Sequence, residues 1–181
     1  TTSSNPSNGG TTSGGGNYTQ GASCTVHATA NAGYTFVNWT ENGTQVSTNA
    51  NYTFTVNGNR NLVAHFSQQS YTITTSSNPS NGGTTSGGGN YTYGATCTVT
   101  ASPNTGFVFT KWMQGNTQVS TNASYTFTVN ANTHLVAHFE AETYTITVAS
   151  ADPEMGSVTG GGSFTYGQTC GVAASPKPNY Q

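Results

Sequence analysis

The chain has 181 residues, of which only 4% are Asp, Glu, Lys or Arg, compared with about 25% in ordinary soluble domains. Its net charge is −2 and its only fixed cations are Arg60, Lys111 and Lys177, so we expect neither nucleic acid nor an anionic membrane surface as a partner. No apolar run approaches the roughly 18 residues that cross a bilayer, so we expect no membrane insertion in this segment.

The sequence is repetitive, and its copies keep a constant offset. Thr1–Pro6 returns as Thr74–Pro79, and Cys24 returns as Cys97. Of the 68 positions in residues 1–68, 20 differ from their counterparts in 74–141, which leaves 48 identical. A third copy begins near Tyr144 and carries Cys170 in register. We therefore predict three tandem repeats: a first repeat, 1–68, without its opening strand; a complete second repeat, 69–141; and a truncated third repeat, 142–181.

Polar and apolar residues alternate along each repeat, which predicts short β-strands. In the second repeat the predicted strands are, in chain order, Tyr71–Thr74, Thr96–Ala101, Ser124–Val129 and Leu135–Phe139. Pairs such as Asn42-Gly43 and triplets such as Gly87–Gly89 predict turns between strands. No stretch has helical periodicity. Each repeat is thus predicted to be a small all-β module of six or seven antiparallel strands, a β-grasp-like fold or a small sandwich.

Only four residues, Ser67–Ser70, separate a predicted closing strand from the next opening strand, and Glu140–Thr143 do so at the following boundary. Such short links predict stiffly coupled repeats.

An aromatic core is predicted, because a repeat of this size must bury its few large side chains to be stable. Trp39 lies three residues after Phe36 and so breaks strand alternation, which predicts a bulge that turns the indole inward. The predicted core residues are Tyr34, Phe36, Trp39, Phe54 and Phe66 in the first repeat and Phe107, Phe109, Trp112, Phe127 and Phe139 in the second.

Three features together resemble the divergent InlB B-repeat of Listeria and Bacteroides surface proteins. They are Gly33–Phe36, Trp39 and the closing segment Leu62–Phe66, each of which recurs in the second repeat. The resemblance covers almost the whole chain. It implies a compact β module arranged in arrays on extracellular or cell-surface proteins, as a spacer or an interaction region, and it implies no active site.

One cysteine occurs in each repeat, at Cys24, Cys97 and Cys170. Cys97 shares strand parity with Val99, so we predict a buried thiol that packs as a small apolar side chain. A disulfide between repeats or between chains is the main alternative. Metal binding is a weaker one, because no ligand spacing accompanies the cysteines.

Catalytic, cofactor and metal sites are not predicted. The five acidic residues lie in turns and linkers, and Glu41 has Gln114 as its counterpart, so no carboxylate pair recurs. The glycine triplets lack the Lys of a phosphate-binding loop. We expect no enzyme activity.

Three functions fit these patterns: a stalk or fibre-forming array, an adhesin module, or a strand-exchanging filament subunit. The partners would be neighbouring repeats or other copies of the chain, or else a glycan or host surface protein. The weak candidates for ligand contact are aromatic residues near the glycine triplets: Tyr18, Tyr91, Tyr93, Phe164 and Tyr166.

Overall fold

The computed structural model describes residues 1–179, and every regular element among them is a β-strand, which confirms the predicted all-β class. The strands of the first repeat are β1 (Thr2–Asn5), β2 (Gly10–Ser13), β3 (Ser23–Ala30), β4 (Tyr34–Glu41), β5 (Thr44–Ser47), β6 (Asn51–Thr55) and β7 (Leu62–Gln68). Those of the second are β8 (Ser70–Asn78), β9 (Gly83–Ser86), β10 (Gly89–Thr92), β11 (Thr96–Pro103), β12 (Phe107–Gln114), β13 (Thr117–Ser120), β14 (Ser124–Thr128) and β15 (Thr133–Ala141). The third contains β16 (Thr143–Ile146), β17 (Gly156–Thr159), β18 (Gly162–Thr165) and β19 (Ala173–Pro176).

The first repeat consists of two small sheets, with strand orders β1-β7-β4-β5 and β2-β3-β6. Its apolar core contains Cys24 and Val26 from one sheet and Trp39, Leu62 and Phe66 from the other. The core of the first repeat therefore lies between its two sheets. The second repeat also has two sheets, with the strand orders β10-β8-β15-β12-β13 and β14-β11-β9.

One strand pair in each of the first two repeats departs from the predicted antiparallel pattern. β1, which corresponds only to the second part of β8 (Thr75–Asn78), runs parallel to the closing strand β7 with Thr2 opposite Leu62, and β8 runs parallel to β15 in the same register. Parallel neighbours need a long crossover connection, and here the rest of the repeat supplies it. Local alternation cannot reveal this pairing, because it joins the two ends of the repeat.

The bulge predicted beside the tryptophan is confirmed. The register of β4 against β7 shifts between Phe36 and Asn38, and that of β12 against β15 shifts between Phe109 and Lys111. Trp39 and Trp112 are both completely buried. Each indole nitrogen donates a hydrogen bond to a backbone carbonyl eleven residues on, at 3.2 Å in the first repeat and 3.0 Å in the second.

The predicted core residues divide into two groups. Buried are Trp39, Phe66, Trp112 and Phe139, the two tryptophans completely. Half-buried are Tyr34, Phe36, Phe54, Phe107, Phe109 and Phe127. The rings of Phe36 and Phe66 meet edge to face at 5.9 Å, as do those of Phe109 and Phe139 at the same distance. The aromatic core thus has the same geometry in both repeats.

The third repeat is built differently in the described residues. Its four strands form two separate pairs, β16 with β18 and β17 with β19. Tyr144, Ile146 and Val172 are exposed. Cys170 is half-buried, whereas Cys24 and Cys97 are buried, because fewer strands surround it. None of these three cysteines forms a disulfide.

Grouped by backbone proximity, the chain divides into two compact units. One contains Thr1–Thr72 with Asn90–Cys97 and Thr128–Asn132, and the other contains Ile73–Gly89, Thr98–Phe127 and the chain from Thr133 onward. Each unit therefore takes in residues of two successive sequence repeats.

The links between repeats are shorter than predicted, because the strands extend into them. β7 ends at Gln68 and β8 begins at Ser70, so Gln69 alone separates them. Glu142 alone separates β15 from β16. Within residues 1–179 there is no helix long and apolar enough to span a membrane.

Candidate functional site

The glycine triplets are turns that bring a loop against a neighbouring strand. Gly14 and Gly87 have φ of +86° and +91°, and a Cβ atom on either would collide with the backbone of the facing strand β3 or β11. Only glycine fits both requirements. This explains the first glycine of the triplet without any phosphate ligand.

Tyr18 lies beside this turn and is 43% exposed. Its hydroxyl donates a hydrogen bond to the Gly14 carbonyl at 2.8 Å, and the thiol of Cys24 donates to the same carbonyl at 3.5 Å. A hydrogen bond with Cys24 raises the pKa of Tyr18. Tyr91 and Cys97 stand in the same relation in the second repeat, where the thiol raises the pKa of the tyrosine.

The cysteine therefore has a polar role that strand parity alone did not predict. In the third repeat the thiol of Cys170 donates to the Gly160 carbonyl at 3.2 Å, the counterpart of the bond between Cys24 and Gly14. The sequence signal was available: in every repeat the cysteine follows the first glycine of the triplet at the same spacing. A thiol is apolar enough to be buried and still donates a weak hydrogen bond.

Phe164 is half-buried on β18, where it lies opposite Tyr144 of β16. The Tyr144 hydroxyl donates to the Glu142 carboxylate, and this bond raises the pKa of Tyr144. Phe164 thus belongs to the strand pair that opens the third repeat.

Tyr93 is packed against Gly33, a buried glycine of the preceding sequence repeat. Gly33 has φ of +79°, and a Cβ atom there would lie 2.8 Å from the Tyr93 Cβ, 2.5 Å from its Cγ and closer still to Cδ1. Both residues belong to the first compact unit. The tyrosine ring therefore occupies the space that a side chain at Gly33 would need.

The same contact recurs one repeat later, within the second compact unit. Gly106 also has φ of +79°, and a Cβ atom there would lie 2.8 Å from the Cβ of Tyr166 and closer to its Cγ and Cδ1. Tyr166 still exposes 53% of its surface. Two of the five candidate ligand-contact residues thus touch the preceding repeat.

A relay of backbone hydrogen bonds accompanies each contact. The Gln69 amide donates to the Gly33 carbonyl at 2.7 Å, and the Tyr93 amide donates to the Gln69 carbonyl at 2.9 Å. At the next boundary the Glu142 amide donates to Gly106 and the Tyr166 amide donates to Glu142, both at 2.8 Å. We call each set, the glycine, the linker residue and the tyrosine, a joint.

Side chains reinforce the first joint. The Tyr71 ring lies 6.4 Å from the Tyr93 ring, and the Tyr71 hydroxyl donates to the Gln69 side chain at 2.9 Å. The Gln69 amide group also donates to the Thr35 hydroxyl at 3.4 Å. The single linker residue is therefore held by both repeats.

A polar groove lies in the first repeat, with a volume of about 700 Å³, lined by Asn17, Tyr18, Asn59, Arg60 and Asn61 among others. In the second repeat the counterparts of Asn17 and Asn59, Asn90 and Asn132, accept hydrogen bonds from the Thr72 hydroxyl and the Thr72 amide, both at 2.8 Å. The side-chain amides of Asn90 and Asn132 thus bind the opening strand β8 of the second repeat.

Among the described residues no group of three or more His, Cys, Asp or Glu side chains is placed to hold a metal ion. His65 lies on β7, with its Nε2 2.9 Å from the Thr40 hydroxyl of β4. His134 contacts two hydroxyls, those of Thr74 and Ser76.

The family model described as the divergent InlB B-repeat domain matches residues 1–70 and again residues 73–143. The chain therefore belongs to the divergent InlB B-repeat family, as its sequence patterns predicted. Domains of this family belong to bacterial surface proteins. No curated protein and no solved structure matches the chain significantly.

Sequence reasoning did not identify the joints. Tyr93 was predicted only as a weak candidate for ligand contact, and Gly33 only as part of the pattern that resembles the family. The spacing from Gly33 to Tyr93 equals that from Gly106 to Tyr166, but every pair of positions keeps its spacing in copies with a constant offset, so the sequence does not pair these two residues.

Proposed function

We propose that this region is a structural array on the outside of a bacterial cell, a stalk in which each repeat is fixed to the next and no chemistry is catalysed. The observation that supports this most directly is the joint: a backbone relay through a single linker residue, closed by a tyrosine and present twice with the same geometry. A flexible linker that only tethers two domains is not expected to form the same specific contacts at each boundary.

The composition is consistent with the proposal. From Thr1 to Phe139 the chain contains one acidic side chain, Glu41, and that side chain is bound by Arg60. Acid–base catalysis requires titratable groups that converge on a substrate. A surface of hydroxyls and amides with few charges suits a passive spacer.

Small-angle X-ray scattering of the full chain over a concentration series tests the proposal. A stalk predicts an elongated, well-folded particle with the mass of one chain at every concentration. A scattering profile typical of independently moving domains would contradict it. A mass that rises with concentration would instead support the strand-exchanging filament.

An adhesin is the second candidate, favoured by the exposure of Tyr18 beside the amides of Asn17 and Gln20 in the polar groove. Aromatic rings with nearby amides suit sugar recognition. We favour the stalk, because in the second repeat the corresponding amides of Asn90 and Asn132 are bound by Thr72 of the opening strand. Saturation-transfer NMR with a panel of glycans tests the adhesin, which predicts a signal that Tyr18→Ala abolishes and Tyr166→Ala leaves unchanged.

A further inference from the structure

We infer that the buried glycine of one repeat, Gly33 or Gly106, is a seat for an aromatic side chain of the following repeat, and that the residue type offered to this seat decides which repeats can follow one another. The inference rests on the proposed stalk and names the contact that would specify its order.

The seat makes two separate demands on Gly33. Its φ of +79° lies in the left-handed region, which favours glycine, and its missing side chain leaves room for the Tyr93 ring. Gly43 shows that the two demands are independent. Its φ is +81°, yet nothing lies within 4 Å of a Cβ atom placed there. A left-handed turn therefore does not by itself require an aromatic neighbour.

The residue that fills the seat differs among the repeats. Tyr93 and Tyr166 fill it, whereas their counterpart in the first repeat is Gln20. A glutamine side chain has no ring to cover the glycine and would bring an amide that requires hydrogen-bond partners. A repeat with Gln at this position therefore cannot fill the seat of the repeat before it well. The second and third repeats, which have Tyr there, can fill it.

The third repeat supplies a natural variant of the seat itself. The counterpart of Gly33 and Gly106 there is Asn179, with φ of +78°. Asparagine tolerates the left-handed conformation yet carries a Cβ atom. Gly33→Asn should consequently retain the turn and remove the space for the ring.

Native-state hydrogen exchange of the full chain, followed by NMR, tests the inference. The variants are Gly33→Asn and Tyr93→Gln, with Gly43→Asn and Tyr93→Phe as matched controls. We expect the amides of Gln69 and Tyr93, which form the relay, to exchange roughly tenfold or more faster in the two test variants, since local opening becomes easier. Both controls should keep wild-type rates.

The amide of Ala28, bonded to the Ala50 carbonyl inside the first repeat, reports whether the fold is intact. It should exchange at the wild-type rate in all four variants. If Gly33→Asn accelerates Ala28 as well, Tyr93→Gln decides, because it leaves the first repeat unaltered. Unchanged rates at Gln69 and Tyr93 in Tyr93→Gln would overturn the inference, as would equal acceleration by Gly43→Asn.

The two proposals can fail separately. Scattering from the unaltered chain tests the stalk without reference to Tyr93. An elongated, stiff chain whose relay is insensitive to Tyr93→Gln would retain the stalk and reject the aromatic seat.

Discussion

Arg60 and Glu41 form an ion pair in the first repeat. The guanidinium Nη2 lies 2.6 Å from one carboxylate oxygen, and Nε lies 3.0 and 3.1 Å from the two oxygens. The same guanidinium stands over the Phe54 ring at 4.4 Å. The hydrogen bond from Arg60 lowers the pKa of Glu41, and that from Glu41 raises the pKa of Arg60.

This pair predicts a pH dependence that is confined to the first repeat. A carboxyl whose folded pKa is lowered stabilises the fold above its unfolded pKa, near 4.5 for Glu41, and that contribution disappears as pH falls through the lower folded value. Both side chains are 22% exposed, so we expect a loss of only about 1 kcal/mol or less. Denaturant unfolding of a Trp112→Phe variant, monitored by Trp39 fluorescence between pH 7 and pH 3, measures it.

The second repeat suggests the control. It has Gln114 and Thr133 at the two positions, so it lacks this pair. Glu41→Gln should lower stability at pH 7 and flatten the pH profile of the first repeat. A profile that retains its slope in Glu41→Gln would show that other groups carry the effect.

Strand β2 packs closely against the aromatic core through Gly10. A Cβ atom on Gly10 would lie 2.5 Å from both the Phe66 Cε1 atom and the Thr29 carbonyl oxygen. Gly83 lies under Phe139 in the same way. The edge strand can therefore cover the core only if this position has no side chain.

Gly10→Ala should thus destabilise the first repeat by about 1–3 kcal/mol or more, because one contact is with backbone and cannot yield easily. The Trp39 unfolding midpoint measures the change. Gly58→Ala is the matched control, since nothing lies within 4 Å of its Cβ position and the second repeat carries Ala131 there. Equal midpoints for the two variants would refute the packing explanation.

Much of each element could be predicted from local patterns. Alternation located the strands, the broken spacing between Phe36 and Trp39 located the bulge, and Asn42-Gly43 located a hairpin in which both residues have positive φ. These features depend on residues within a few positions of one another.

The remainder depends on distant residues. The parallel pair β1 and β7 joins Thr2 to Leu62, and the joint brings Tyr93 to Gly33. Neither contact leaves a periodic trace in the sequence around it. In the sequence, Tyr93 looks like any aromatic residue near a glycine triplet until the preceding repeat is placed beside it, which is why its place at the joint was not predicted.

The sequence repeat and the compact unit of packing do not coincide along this chain. Asn90–Cys97 belongs to the second sequence repeat and to the first compact unit, and Tyr93 lies in that segment. A repeat that lends part of its surface to its neighbour is expected to gain stability from that neighbour. The proposed stalk requires successive repeats to be held in a fixed relation.

A distance distribution between spin labels on the first two repeats tests that requirement most directly. Labels at Thr44→Cys and Thr117→Cys occupy equivalent exposed positions, in a Cys170→Ser background that leaves the two buried thiols in place. A variant with a Gly-Ser insertion before Gln69 supplies the distribution of a flexible linker. Stiff joints predict a single narrow distance for the uninterrupted chain, and a distribution as broad as that of the insertion variant would contradict them.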